Sequence, residues 1–194
     1  MERKANQSER QRCRDWSLWW SKGLNIDPPR DNIFLRSTGT EARAKLKHNA
    51  TGYIGDMVAG NPIGQPLINA CTFKFKKGFV DLSLLSCIDS KEKTPRLIAF
   101  LKQLESEARE NGNNPVLVFQ RNYHDPVICI TTKLHQFITE WYEINTAKIT
   151  FLYPGLDEGY VMMRLTDFFH SVDPHFFIHY TKESVSRLLR MSRC

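Results

Sequence analysis

The 194-residue chain contains no apolar run near the roughly 20 residues that a membrane-spanning helix requires. Its opening stretch, MERKANQSERQRCRDW, has no apolar middle region of the secretory kind, so a cytoplasmic protein is expected. Cysteine is sparse and odd in number: the five are Cys13, Cys71, Cys87, Cys129 and Cys194, with no two close together. That pattern argues against a disulfide framework and a paired-cysteine zinc site, and reads as free thiols in a reducing compartment. No phosphate-cradling glycine loop is present, because GNPIG lacks the lysine and Ser/Thr of a nucleotide loop. His170, His175 and His179 match no zinc spacing, and Pro174 interrupts the helix that would align them. No cysteine–histidine spacing indicates nucleophilic catalysis. Repeats and low-complexity segments are absent as well.

What remains is one domain's worth of ordinary globular composition, enough for a sizeable core or for a core with a small extension. The formal net charge is +6 and the pI about 9.1, which favours polyanionic partners. Residues 8–22 predict a helix: Trp16, Trp19 and Trp20 recur at i, i+3 and i+4, with Cys13 a turn earlier and Gly23 as a stop. NIFLRSTGT reads as a strand ending in a polar turn, and EARAKLKHNATG as a short helix or a loop. YIGDMVAGNPIGQPLINACTFKFKKGF reads as two strands joined by GNPIG. PRLIAFLKQLESEAREN is the clearest helix, with Leu97, Phe100, Leu101, Leu104 and Ala108 forming its apolar stripe. VLVFQRN and PVICITT follow as strands. HQFITEWYEI predicts a helix, KITFLYPG and GYVMMRL strands, TDFFHSVDPHFF a helix broken near Pro174, and the tail a basic helix. The order implies an α/β core with a mixed central sheet flanked by helices over 1–135. Residues 136–194 are expected as a C-terminal α+β extension packed on the same domain.

One constellation carries chemistry. Cleaving a phosphodiester with Mg²⁺ requires hard oxygen ligands held rigidly, and a lysine nearby can position water and stabilise negative charge. A strand suits this task, since residues i and i+2 point to one face. Asp56 follows Gly55 on the first of the two predicted strands, and CTFKFKKGF supplies Lys74 and Lys76 on the second. This arrangement resembles the PD-(D/E)XK nuclease superfamily, in particular its phage-type, Holliday-junction-resolvase-like members. The resemblance covers roughly residues 8–121. It sets Asp56 as the motif acid, Lys76 as the motif lysine and Lys74 where a catalytic glutamate is expected. SERQRC places Glu9 as the first-helix acid, and RSTGT places Arg36 and Ser37 near the scissile phosphate.

The resemblance implies a restriction-endonuclease-like core and a metal-dependent DNA endonuclease. Asp56 and Glu9 would hold Mg²⁺ (or Mn²⁺), and a homodimer would act on DNA in the cytoplasm, the host's if phage-encoded. Lys74 departs from the pattern: a charged ammonium repels a divalent ion and can pair with Asp56 instead. The chain is therefore expected to be impaired as written, unless Glu41 or Asp81 supplies the missing acid. A second register, with Thr72 at the acid position and Lys74 at the lysine, leaves that position equally without charge. The alternative is a non-catalytic DNA-binding or interaction module on the same fold, or a host-interaction protein using it without nucleic acid. Each residue also has a plain structural reading. Asp56 can end a strand, the lysines and Glu9 can form solvated faces, and the three tryptophans read as core rather than as base-stacking platforms.

Overall fold

The computed structural model describes residues 2–37, 55–78, 87 and 94–180. Glu41, Asp81 and the basic tail lie outside the described residues. The N-terminal helix α1 spans Glu2–Gly23, and its tryptophan stripe is buried as its spacing predicts. Trp16 meets Phe73 edge to face at 4.9 Å between centroids. The indole N–H groups of Trp19 and Trp20 donate to the carbonyls of Val172 and Ile63.

β1 (Phe34–Arg36) pairs antiparallel with β2 (Met57–Ala59) in a small sheet of its own. The predicted second strand is present and ends before Gly78, but the connection leading to it is corrected. GNPIG forms a 3₁₀ turn over Pro62–Gly64, and helix α2 (Gln65–Ala70) precedes β3 (Cys71–Lys77). The local reason is visible: the Asn61 side chain accepts from the Ile63 N–H, and Pro66 falls in the first helical turn, where its missing N–H is harmless. The two segments are therefore not a hairpin.

β3 is an edge of a five-stranded mixed sheet in the order β3-β4-β5-β7-β6. Helix α3 (Arg96–Asn111) precedes β4 (Asn114–Gln120), which lies parallel to β3; β5 (Val127–Thr131) then returns antiparallel. Gly112 ends α3 in the left-handed conformation, φ 64°. Helix α4 spans Thr132–Thr139, capped by the Thr131 hydroxyl, which accepts from the Leu134 N–H. It stops before Trp141, short of the predicted WYEI. β6 (Lys148–Phe151) and β7 (Tyr160–Arg164) join the same sheet, with β7 against β5 and β6 at the far edge. Helices α5 (Leu165–Ser171) and α6 (His175–His179) flank the predicted break near Pro174.

The central strands β4, β5 and β7 are apolar on both faces, as strands covered on two sides require. Val116 and Val118 of β4 face a core with Trp16, Phe73, Leu134 and Phe168. Leu117 and Phe119 face a second core with Leu97, Leu101 and Leu104 of α3. The architecture is thus α/β, a mixed sheet flanked by helices. Cys13, Cys71, Cys87 and Cys129 are free thiols. Among the described residues no helix is long and apolar enough to cross a membrane.

Candidate functional site

Asp56 sits beside the open edge of β3. Its N–H donates to the Phe73 carbonyl at 2.7 Å, and its Oδ2 accepts from the Phe75 N–H at 2.7 Å. The side chain thereby stands in for a neighbouring strand. Gly55 makes the approach possible: it takes φ +99°, and a Cβ there would lie 2.9 Å from the Phe73 carbonyl oxygen. Ser37 fixes the same segment. Its N–H donates to the Asp56 carbonyl at 3.1 Å, and its hydroxyl donates to the Gly55 carbonyl at 2.6 Å. Ser37 is buried, and its hydroxyl proton is committed to backbone.

On β3, Phe73 and Phe75 point into the α1 core, so Thr72, Lys74 and Lys76 point towards α3. Two strand residues advance by about 6.6 Å and four helix residues by about 6 Å, so the step from Thr72 to Lys74 matches the step from Asn111 back to Glu107. Asn111 Nδ2 donates to Thr72 Oγ1 at 3.3 Å. Lys74 Nζ donates to Glu107 Oε1 and Oε2 at 2.8 and 3.1 Å. Lys76 Nζ lies 4.9 Å from the Phe100 ring centroid, a cation–π contact. Gln103 holds Glu107 in place through an Nε2–Oε1 hydrogen bond of 2.8 Å.

Lys74 does face Asp56, with Nζ 3.9 Å from Oδ1, but its nearer partner is Glu107. The expected vacancy-filling salt bridge is therefore shared between two carboxylates. Glu107 is the site residue that sequence reasoning missed. Its signal was the row Phe100, Gln103, Glu107 and Asn111 at helical spacing, beside the apolar stripe.

Glu9 reaches the same neighbourhood from α1. Arg36 Nη1 lies 3.4 Å from Glu9 Oε2, an ion-pair distance without a hydrogen bond. Burial raises the Glu9 carboxyl above its ordinary range, and the Asp56 carboxylate adds to that; Arg36, Lys76 and Lys74 pull it down. Burial likewise raises Asp56, opposed by the Phe75 N–H, Lys74 and Lys76. The structure thus brings together Glu9, Arg36, Asp56, Lys74 and Lys76, with Ser37 behind them as a backbone brace.

As they stand, these residues do not fit Mg²⁺. Asp56 commits one oxygen to a backbone N–H and turns the other towards an ammonium. Glu107, the nearest further carboxylate to that ammonium, is bonded to it through both oxygens. Among the described residues no group of three or more histidine, cysteine or acidic side chains is arranged to hold a metal ion. His175 instead pairs with Asp173 at 2.7 Å. No family model, no curated protein and no solved structure matches the chain.

Proposed function

We propose that this chain is a DNA endonuclease of the PD-(D/E)XK type whose centre is disarmed by Lys74, so that it engages DNA without Mg²⁺-dependent cutting. The observation that carries the reading is the Lys74 ammonium held between Asp56 and Glu107. A cation is wanted there by two carboxylates, and the chain supplies its own. The surrounding parts support the same reading. Asp56 is braced by Gly55, Ser37 and the Phe75 N–H, and Glu9 and Arg36 stand beside it. Lys76 lies two residues beyond Lys74 on the same strand face, and it is the cation for the attacking water or the developing phosphorane charge once an acid occupies position 74. The net charge of +6 suits a polyanion. A four-way junction presents two symmetry-related strands, so a homodimer belongs to this reading.

The test compares this chain with Lys74→Glu on supercoiled plasmid and on a synthetic four-way junction, with Mg²⁺ or Mn²⁺. Cutting by Lys74→Glu alone, abolished by adding Lys76→Ala, supports the assignment. Failure of both proteins to cut any substrate removes the enzyme ancestry from the argument. The non-catalytic DNA-binding module then stands or falls on metal-independent binding that weakens steeply with salt.

A further inference from the structure

The turn between β4 and β5 holds a tyrosine in a position that packing does not explain. Tyr123 is fully exposed, at 105% of its reference surface. Its backbone takes φ 61°, in the left-handed region that bulky side chains rarely enter. The turn itself is closed by the His124 N–H donating to the Arg121 carbonyl at 3.3 Å, and by Gln120 Nε2 donating to the His124 carbonyl at 2.8 Å. None of these bonds needs an aromatic ring at 123. A glycine would relieve the backbone, and a polar residue would suit the solvent. The fold instead carries an unfavourable backbone conformation and an unburied ring at the same residue.

The backbone around the turn places basic residues near it. The turn stands at the end of the sheet where β3 finishes, because Gly78 N–H donates to the Gln120 carbonyl at 3.0 Å and Lys77 pairs in register with Gln120. Arg12 of α1 reaches the same point, with Nη2 donating to Gln120 Oε1 at 3.1 Å. Lys77 and Arg121 make no ion pair with another described residue. Against these cations the turn sets one acid, Asp125. Arg12 is itself paired with Asp15 at 2.8 Å, which leaves Lys77 and Arg121 as the cations without an ion pair among the described residues. A lone ring projecting from a narrow hairpin near these two suits a single flat group attached to phosphates better than a broad apolar protein surface.

We propose that Tyr123 is a stacking platform for an unpaired base of DNA, held at the β3–β4 end of the sheet beside the candidate site. This rests on the DNA reading above and narrows its substrate to DNA with single-stranded or branched character. Bases are accepted through their π-faces, so the preference is for unpaired structure rather than for sequence. Lys77 and Arg121 hold the flanking phosphates.

The experiment measures binding of the full chain to two fluorescent DNAs of equal length, a blunt duplex and a splayed-arm duplex, at one salt concentration. The variants are Tyr123→Ala, Tyr123→Gly and Tyr123→Trp, with thermal melts as the folding control. The wild type and Tyr123→Trp are expected to prefer the splayed arm. Tyr123→Ala and Tyr123→Gly are expected to bind it roughly 5- to 150-fold more weakly, the range for one lost base–aromatic stack, while duplex binding is unchanged. Tyr123→Gly is expected to melt no lower than wild type, which separates the ring's loss from any loss of fold. Wild-type DNA binding whose splayed-to-blunt ratio is unchanged in Tyr123→Ala overturns the stacking role and leaves the DNA reading intact. Wild type that binds neither DNA overturns the DNA reading itself, and the stacking role with it.

Discussion

Lys74 Nζ lies 2.8 Å from Glu107 Oε1 and 3.9 Å from Asp56 Oδ1, so one ammonium from β3 joins a carboxylate on α3 to a carboxylate outside the sheet edge. Both side chains of the Lys74–Glu107 pair are largely buried, at 13% and 19% exposure. Lys74→Met is expected to destabilise the fold by about 1–3 kcal/mol, because it leaves two half-desolvated carboxylates without their cation. Glu107→Gln is expected to cost less, since the amide oxygen still accepts from Lys74. The double variant should cost less than the sum of the singles. Urea midpoints of the four proteins measure this coupling, and strict additivity would show that the pair contributes nothing.

Asp56 gives a pH signature. Burial raises its carboxyl above the ordinary value of 3.8, so the folded state holds that proton more tightly than the unfolded chain. The stability contributed by this group is complete below 3.8 and is lost as pH rises through the folded-state value. Asp56→Asn removes that dependence. The stability of wild type relative to Asp56→Asn is expected to be greatest in acid and to fall as the pH approaches neutrality. Denaturation curves from below pH 3.8 upward check the sign, and a difference that grows with pH contradicts the burial argument.

Gly55 tests the brace behind that carboxylate. Gly55→Ala places a Cβ 2.9 Å from the Phe73 carbonyl oxygen at φ +99°, and neither the strand backbone nor the left-handed conformation yields cheaply. A loss of about 1–3 kcal/mol is expected. In a Lys74→Glu background the same change should abolish any restored cutting, because Asp56 moves off β3. Retained stability together with retained cutting would show that the approach is loose.

A second buried acid stabilises the other half of the sheet. Glu105 Oε1 accepts from the Tyr160 hydroxyl at 3.0 Å and from the Asp157 N–H at 3.1 Å, so α3, β7 and the turn before β7 meet at one carboxylate. Burial, then Glu105 itself, pushes the Tyr160 phenol well above its usual 10. Tyr160→Phe is expected to cost about 1.5–3 kcal/mol, the range for a hydrogen bond to a charged group. Burial also pushes Tyr180 up to about 12 and raises Tyr142, so spectroscopic titration of the wild type should show a delayed group of tyrosines, and Tyr160→Phe should remove the last of them to ionise while the protein stays folded.

The elements whose partners are their own neighbours were legible in the chain. The Trp16–Trp19–Trp20 row and the Leu97–Leu101–Leu104 row each bury one helix face, and periodicity alone reports that. β4 and β5 were legible as short apolar runs between turn residues. The segment before Cys71 was not, because a short, mostly apolar stretch after a proline, Leu67, Ile68, Asn69 and Ala70, suits a strand or a helical turn equally. What decided it was β2 pairing with β1 instead of with β3. The lesson for the site is similar. Asp56 and Lys74 were legible as opposed charges across a short separation. Glu107 was not, because a glutamate on a charged helix looks solvated until the helix is laid against a strand.

The sequence by itself determined the buried faces of the long helices, the α/β order of the main elements and the placing of Lys74 and Lys76 on one strand face, since residue type and spacing are local properties. Only the tertiary structure decided where that charge goes. The parallel β3–β4 crossover lays α3 along β3, which puts Glu107, 33 residues away, nearer to Lys74 than Asp56 is. The same crossover ends β3 beside the β4–β5 turn, which leaves Tyr123 in solvent rather than in a core. Contacts of that range depend on how helix and strand pack, and no pattern within either segment encodes them.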